Sequence, residues 1–223
     1  MKRKMKIRKS KLLIIIGLIY LWGCAQYAKT PTRDILVSNQ VAEEGYGAYG
    51  YLVFTKRPTD SLYNRYYAIC DAYLNNLESS AEYGDYEKSY LMPTYWLVTD
   101  TTSFNKNSRD CINWIDNYDY ARAKTLASLV NKLNVEGPLL VAWGEAYEKV
   151  SEGEDALVLD LSNFADVDLD RAFGIWMNQI TKDPNIWNEG FNLVLVKENF
   201  RNFLEKYGEQ IVDSIKTVKD IFS

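Results

Sequence analysis

The chain has 223 residues, with 26 basic and 30 acidic side chains and a formal net charge of −4. It contains no histidine, which excludes Ser–His–Asp and Cys–His nucleophilic systems and every histidine-ligated metal site. No G-x-S-x-G, Walker P-loop or C-x-x-C motif occurs either.

The first eleven residues carry Lys2, Arg3, Lys4, Lys6, Arg8, Lys9 and Lys11 with no acid among them. Leu12 to Trp22 (LLIIIGLIYLW) is then almost wholly apolar. A positive start followed by a short apolar core is the order of an export signal. Eleven apolar residues fall short of the roughly 20 that a membrane-spanning helix needs. The segment ends Leu21-Trp22-Gly23-Cys24. These four residues resemble the bacterial lipobox, although Trp22 is bulkier than the residue usual at its position. The resemblance implies that the Cys24 thiol is diacylated and that residues 1–23 are cleaved away, leaving Cys24 as the lipid-carrying N-terminus. Acyl chains then hold the protein to the membrane, at about 0.8 kcal/mol per buried CH₂. In Gram-negative lipoproteins an aspartate after the cysteine commonly retains the protein at the inner membrane. Ala25 stands there, which points to the outer membrane in such an envelope.

Seven of the basic residues and none of the acidic ones precede Cys24, so the mature chain has a net charge of −11. An acidic domain is a poor partner for nucleic acid or anionic headgroups. Export also removes it from the cell's nucleotide pool. The two remaining cysteines, Cys70 and Cys111, cannot form a zinc cluster alone, but export places them where disulfides form. They are candidates either for a disulfide or for two buried thiols. A bridge would close a loop of about 40 residues and contribute about 4 kcal/mol in the chain-entropy model.

Residues 24–45 show no clear periodicity and read as a tether, with a single domain over residues 46–223. Tyr49–Thr55 reads as a strand. Thr59 or Asp60 can cap a helix with Leu62, Tyr66, Ile69, Tyr73 and Leu77 on its buried face. Ser79–Ser89 reads as a loop, and Leu91–Thr99 as a strand that starts after Pro93. A helix is expected over Asp119–Leu133, with Ala123, Leu126 and Val130 inward. Strands follow at Leu139–Trp143 and Ala156–Leu161. Asp168 can cap a helix carrying Phe173, Trp176 and Ile180. A last strand is expected at Asn192–Val196, before a closing helix marked by Phe200, Phe203, Tyr207, Ile211, Ile215 and Val218. Strands alternating with helices, several of them continuous apolar runs, predict a three-layer α/β fold: a mainly parallel sheet of about five strands flanked by helices.

Gly45-Tyr46-Gly47-Ala48-Tyr49-Gly50 matches G-x-G-x-x-G, but the glycines precede a strand rather than follow one. The expectation is a flexible entry to that strand, with no cofactor. Asp166, Asp168 and Asp170 form a D-x-D-x-D run that lacks the glycine and glutamate of a calcium loop. Charge at a helix N-terminus explains it better than a metal. Ligands in open α/β sheets sit beyond the carboxyl ends of strands. That places a candidate crevice at Lys56, Arg57, Asp100, Asn163 and Asp166, with Glu145 and Lys197 at the ends of other strands. Tyr83, Tyr86 and Tyr90, in a polar loop, are a candidate aromatic surface.

No catalytic constellation emerges from these residues. The expected function is a lipid-anchored binding or assembly module for a protein partner in the cell envelope. The alternatives are a carboxylate-dependent envelope hydrolase, using Asp100, Asp160 or Asp166, and a glycan or peptidoglycan binder using the exposed tyrosines.

Overall fold

The computed structural model describes residues 30–132, 138–152, 154, 156–181, 194 and 198. Its strands are β1 (Thr30–Val37), β2 (Tyr49–Val53), β3 (Leu91–Val98), β4 (Leu139–Trp143) and β5 (Leu157–Asp160). Its helices are α1 (Asp60–Asn76), α2 (Cys111–Asp116), α3 (Tyr120–Leu129) and α4 (Leu169–Thr181). The strands form one sheet in the order β1-β3-β2-β4-β5. Among the described residues, no helix is long and apolar enough to cross a membrane.

The α/β class holds, but the sheet is mixed rather than mainly parallel. β3 pairs in parallel with β1 and β2, whereas β4 runs antiparallel to both β2 and β5. The short stretch between β4 and β5 accounts for their antiparallel pairing. Its described residues form only the 3₁₀ turn Tyr147–Lys149, and a parallel pair needs a longer crossover, usually a helix.

The largest departure from the sequence reading is β1, which lies inside the expected tether. It pairs with β3 along its whole length, from Thr30↔Leu91 to Val37↔Val98. Its burial alternates irregularly and Pro31 reads as a strand breaker, so nothing in its pattern announces a strand. As an edge strand it tolerates that proline. Arg33 N–H bonds Glu78 C=O on the side away from β3, so the odd-numbered residues of β1 point their backbone groups outward, Pro31 among them.

A second proline sits inside β3, which starts at Leu91 rather than after Pro93. Leu91 C=O accepts from Gly47 N–H, on the β2 side. Pro93 faces the same way, and the β2 ladder begins only at Gly50↔Thr94, so no donor is missed. Gly50 itself is needed for close approach: a Cβ there would meet Thr94 Oγ1 at 2.8 Å and Met92 Cε at 3.0 Å. That gives the last glycine of the G-x-G-x-x-G run a packing role.

Trp96 centres the core on one face of the sheet. It is fully buried against Phe54, Tyr73, Trp114 and Tyr118, and its Nε1–H donates to Trp114 C=O at 3.0 Å. Tyr73 of α1 also meets Phe173 of α4, so α1, α2 and α4 share this core. Tyr51 and Tyr95 are neighbours in register one residue away and therefore lie on the opposite face, where Tyr51 also packs on Trp143 and Tyr147. The periodicity of α1 holds: Tyr66, Ile69, Tyr73 and Leu77 are buried. The expected helix at Asp119–Leu133 begins as read, with Asp119 accepting from Arg122 N–H as its cap, and α2 precedes it. Most of the expected strand Asn192–Val196 and all of the closing helix's marker residues lie outside the described residues. Val194 is described, and it is helical and exposed rather than extended.

A disulfide joins Cys70 of α1 to Cys111 at the start of α2, both buried, across a separation of 41 residues. Replacing both cysteines with serine is expected to lower stability by about 2–4 kcal/mol, because the open loop restores entropy to the unfolded chain. Urea unfolding of the oxidised protein and the double variant measures this. Superimposable transitions would show that the bridge adds nothing.

Candidate functional site

β4 alone runs against the other strands, so β1, β2, β3 and β5 end at one edge of the fold. Lys56 and Arg57 follow β2, Asp100 follows β3, and Asn163 and Asp166 follow β5, so all five share that end. Glu145 follows the reversed β4 and lies at the other end, which removes it from the group. Lys197 lies outside the described residues.

The shared end does not bring these residues into one crevice. The Asp100 carboxylate folds back onto its own turn, accepting from Thr102 N–H at 2.7 Å. The Thr102 hydroxyl and amide hold its pKa below the ordinary aspartate value. Arg57 lies over the Tyr120 ring, 5.4 Å from its centre. Asp166 pairs with Arg65, whose guanidinium also reaches Leu161 C=O. Lys56 is exposed, and its C=O accepts from the Tyr66 hydroxyl at 2.8 Å. The Asn163 backbone completes the turn Leu161–Asn163.

The acidic run is equally committed. Asp166–Asp168 forms a 3₁₀ turn ahead of α4, and Asp170 accepts from Asn76 Nδ2 at 2.8 Å. Among the described residues, no group of three or more histidines, cysteines or acids could hold a metal ion.

The tyrosine loop folds into two 3₁₀ turns, Ser80–Tyr83 and Lys88–Tyr90. The Tyr83 and Tyr86 rings meet edge to face, 5.4 Å apart at 79°. That is not the coplanar row expected of a sugar-stacking platform. Tyr83 donates to Glu78 Oε2 at 2.7 Å, and burial, reinforced by Glu78, pushes its pKa up to about 12. Tyr86 and Tyr90 instead line a hollow of about 340 Å³ together with Asp85 and Glu87.

A more extended site follows the outer edge of β1. Two cavities, of about 530 and about 410 Å³, meet there and share Ile35 and Lys106. Asp34, Glu43, Tyr46 and Glu82 line the first, and Val37, Gln40 and Phe104 line the second. Trp114 reaches the first from the opposite side of the sheet. Asp34 faces the same side as Tyr95, its partner in register. Burial, assisted by Asp34 and Glu43, raises the Tyr46 hydroxyl to about 12.

The edge itself is only partly satisfied. Glu78–Ser80 begins to pair with it through the parallel bridge Arg33↔Ser79, then turns away into the first 3₁₀ turn. Asp34 Oδ1 accepts from Ile35 N–H at 2.8 Å, and Asp34 Oδ2 accepts from the Ser80 hydroxyl at 2.7 Å. Val37 C=O accepts from Gln40 N–H at 2.9 Å and from Arg122 Nη1 at 2.6 Å. Sequence reasoning missed this site because its working groups are backbone atoms of a strand it had not found. The apolar run Ile35-Leu36-Val37 was the available signal.

The groove offers aromatic walls, charges of both signs and unmatched backbone groups. That combination suits an extended chain more than a compact small molecule. No family model matches this chain, and its comparison with curated proteins and with solved structures gave no match.

Proposed function

We propose that this chain is a lipid-anchored protein of the cell envelope, held to the membrane through acyl groups on Cys24, and that its domain docks a protein partner. The groove along the β1 edge is the observation that carries the docking half of this reading. The anchoring half rests on the charge, hydropathy and lipobox resemblance of residues 1–24. The position of β1 links the two. Five residues separate Cys24 from Thr30, a reach of about 20 Å over six steps even when fully extended. The docking edge therefore stays close to the membrane surface, and a partner would be met there. The same reading takes the domain as three layers, with α3 covering the Tyr51 face. In support, Arg122 of α3 bonds the hydroxyl of Tyr147, whose ring packs on Tyr51.

A crosslinked pull-down from intact envelopes tests the reading, comparing wild type with Cys24→Ser. A stoichiometric envelope protein should co-purify with the wild type and fall away when the lipid is lost. The variant should also leave the membrane fraction. A variant that stays membrane-bound would refute the anchor, and a clean wild-type bait would refute the assembly role.

A further inference from the structure

We propose that the outer edge of β1 is a docking slot for an extended segment of another protein, one that lies parallel to β1 and brings an acidic side chain to Lys106. This deepens the reading above by naming how the partner binds, and it rests on that reading for the partner being a protein.

The argument is an account of backbone groups. Past the Arg33↔Ser79 bridge, β1 turns four groups outward: the N–H and C=O of Ile35 and of Val37. Asp34 occupies the Ile35 N–H, and Gln40 and Arg122 occupy the Val37 C=O. Among the described residues, the Ile35 C=O and the Val37 N–H remain unmatched. In a parallel ladder, one residue of the incoming strand donates to residue i−1 and accepts from residue i+1. With Leu36 as i, those two groups are the open ones. In an antiparallel ladder, a residue exchanges both bonds with a single partner. Opposite Ile35 it would lose one bond to Asp34, and opposite Val37 it would lose one to Arg122 and Gln40. The edge therefore favours one direction of approach.

That preference also narrows the occupant. Two copies of this chain related by a two-fold axis would pair their β1 edges antiparallel, which is the disfavoured arrangement. The occupant is thus a different protein. The cavities continue on both sides of the slot, so an internal segment fits better than a chain end. Its polarity follows from charge. The cavity beyond Val37 contains one charged side chain, Lys106, which has no ion-pair partner among the described residues. The other cavity also touches Lys106 and is lined by Arg33, but its three carboxylates, Asp34, Glu43 and Glu82, outnumber those two cations. A carboxylate placed after the docking residue meets Lys106, and a basic residue before it meets the acids.

The test uses the full-length chain in detergent and a displayed random-peptide library as the probe. Selected peptides should carry an acidic residue and bind without any change in the fold. N-methylation along one such peptide should weaken binding at a single position, by about tenfold, where the N–H to the Ile35 C=O is lost. The Val37 amide should become protected from hydrogen exchange on binding. A spin label on the peptide's N-terminus should broaden Glu82 signals rather than those of Thr101. Lys106→Glu should weaken binding about tenfold, and replacing the peptide's acid with lysine should restore it. A library without binders, indifference to N-methylation at every position, or a label that broadens Thr101 would each overturn the slot. None of those results bears on the envelope pull-down, so the two readings fail separately.

Discussion

Above pH 10 this protein is expected to unfold within a narrow span of pH. Tyr51, Tyr73, Tyr95, Tyr118 and Tyr120 are all buried. Burial is the first cause that pushes each hydroxyl's pKa upward, because the phenolate would have to form out of water. Two of them also donate hydrogen bonds that a phenolate could not make: Tyr73 to Thr94 C=O at 2.6 Å, and Tyr118 to Leu52 C=O at 2.7 Å. Tyrosine in the unfolded chain titrates near 10. Between that value and the raised native values, the unfolded chain binds fewer protons than the native one, so the stability of the fold falls as pH rises. The contribution is fully present below pH 10 and is lost on approach to the native pKa values. Each buried tyrosine steepens the loss by about 1.4 kcal/mol per pH unit, and five together by about 7 kcal/mol per unit. A domain stable by about 5–15 kcal/mol cannot survive much more than one or two such units. Ellipticity and tyrosinate absorbance followed together on alkaline titration check this. The last part of the absorbance rise, equal in size to five rings, should come in one step with the fall in ellipticity. Full tyrosinate absorbance reached while the ellipticity is still native would show that the buried rings ionise in the native fold.

The legible and illegible parts of this chain divide by how strongly side chains report on their surroundings. α1 was legible because one face packs on the core, so Tyr66, Ile69 and Tyr73 recur at helical spacing. β2, β3 and β4 were legible as strands because they are buried on both faces and so run almost unbroken in apolar residues. The same burial hides their direction, since a run of Leu, Val and Ala reads alike in either sense. Only the short connection between β4 and β5 could have revealed the reversal. β1 was illegible because an edge strand is covered on fewer sides. Asp34 and Arg33 stand where a central strand would be apolar. The strand-end residues were correctly placed at one end of the sheet, yet their neighbours were not foreseeable. Asp100 is engaged by its own turn, and Asp166 by Arg65, a residue 101 positions away in sequence. The groove is harder still, because an amide and a carbonyl carry no side-chain signature at all.

Arg122→Met is expected to lower stability by about 3–5 kcal/mol, the range for stripping one partner from a buried charged network. The guanidinium uses every nitrogen. Nε donates to the Tyr147 hydroxyl, Nη1 to Val37 C=O and Nη2 to Gln40 C=O, each at 2.6 Å, and Nη2 also meets Glu148 Oε1 at 3.0 Å. The side chain is only 8 % exposed, and its carbon centre lies 5.0 Å from the middle of the Tyr147 ring. Methionine fills much of the same space and supplies none of the donors. The variant would take the arginine donor from the Gln40 C=O and the Glu148 carboxylate, and leave the Val37 C=O with the Gln40 N–H alone. Arg122→Lys should fall between the two. Lysine keeps the charge, but a single ammonium cannot span acceptors spread across a planar fork. Urea unfolding of the three proteins ranks them. The same arginine also bears on the proposed docking, because it helps occupy the Val37 C=O and ties down the backbone as far as Gln40. Without it, the edge loses part of what disfavours antiparallel pairing. The methionine variant should therefore self-associate at concentrations where the wild type stays monomeric, as read by sedimentation. A variant that is as stable as wild type would show that water replaces the guanidinium readily. A destabilised variant that stays monomeric would show that Asp34 and the Gln40 N–H are enough to guard the edge.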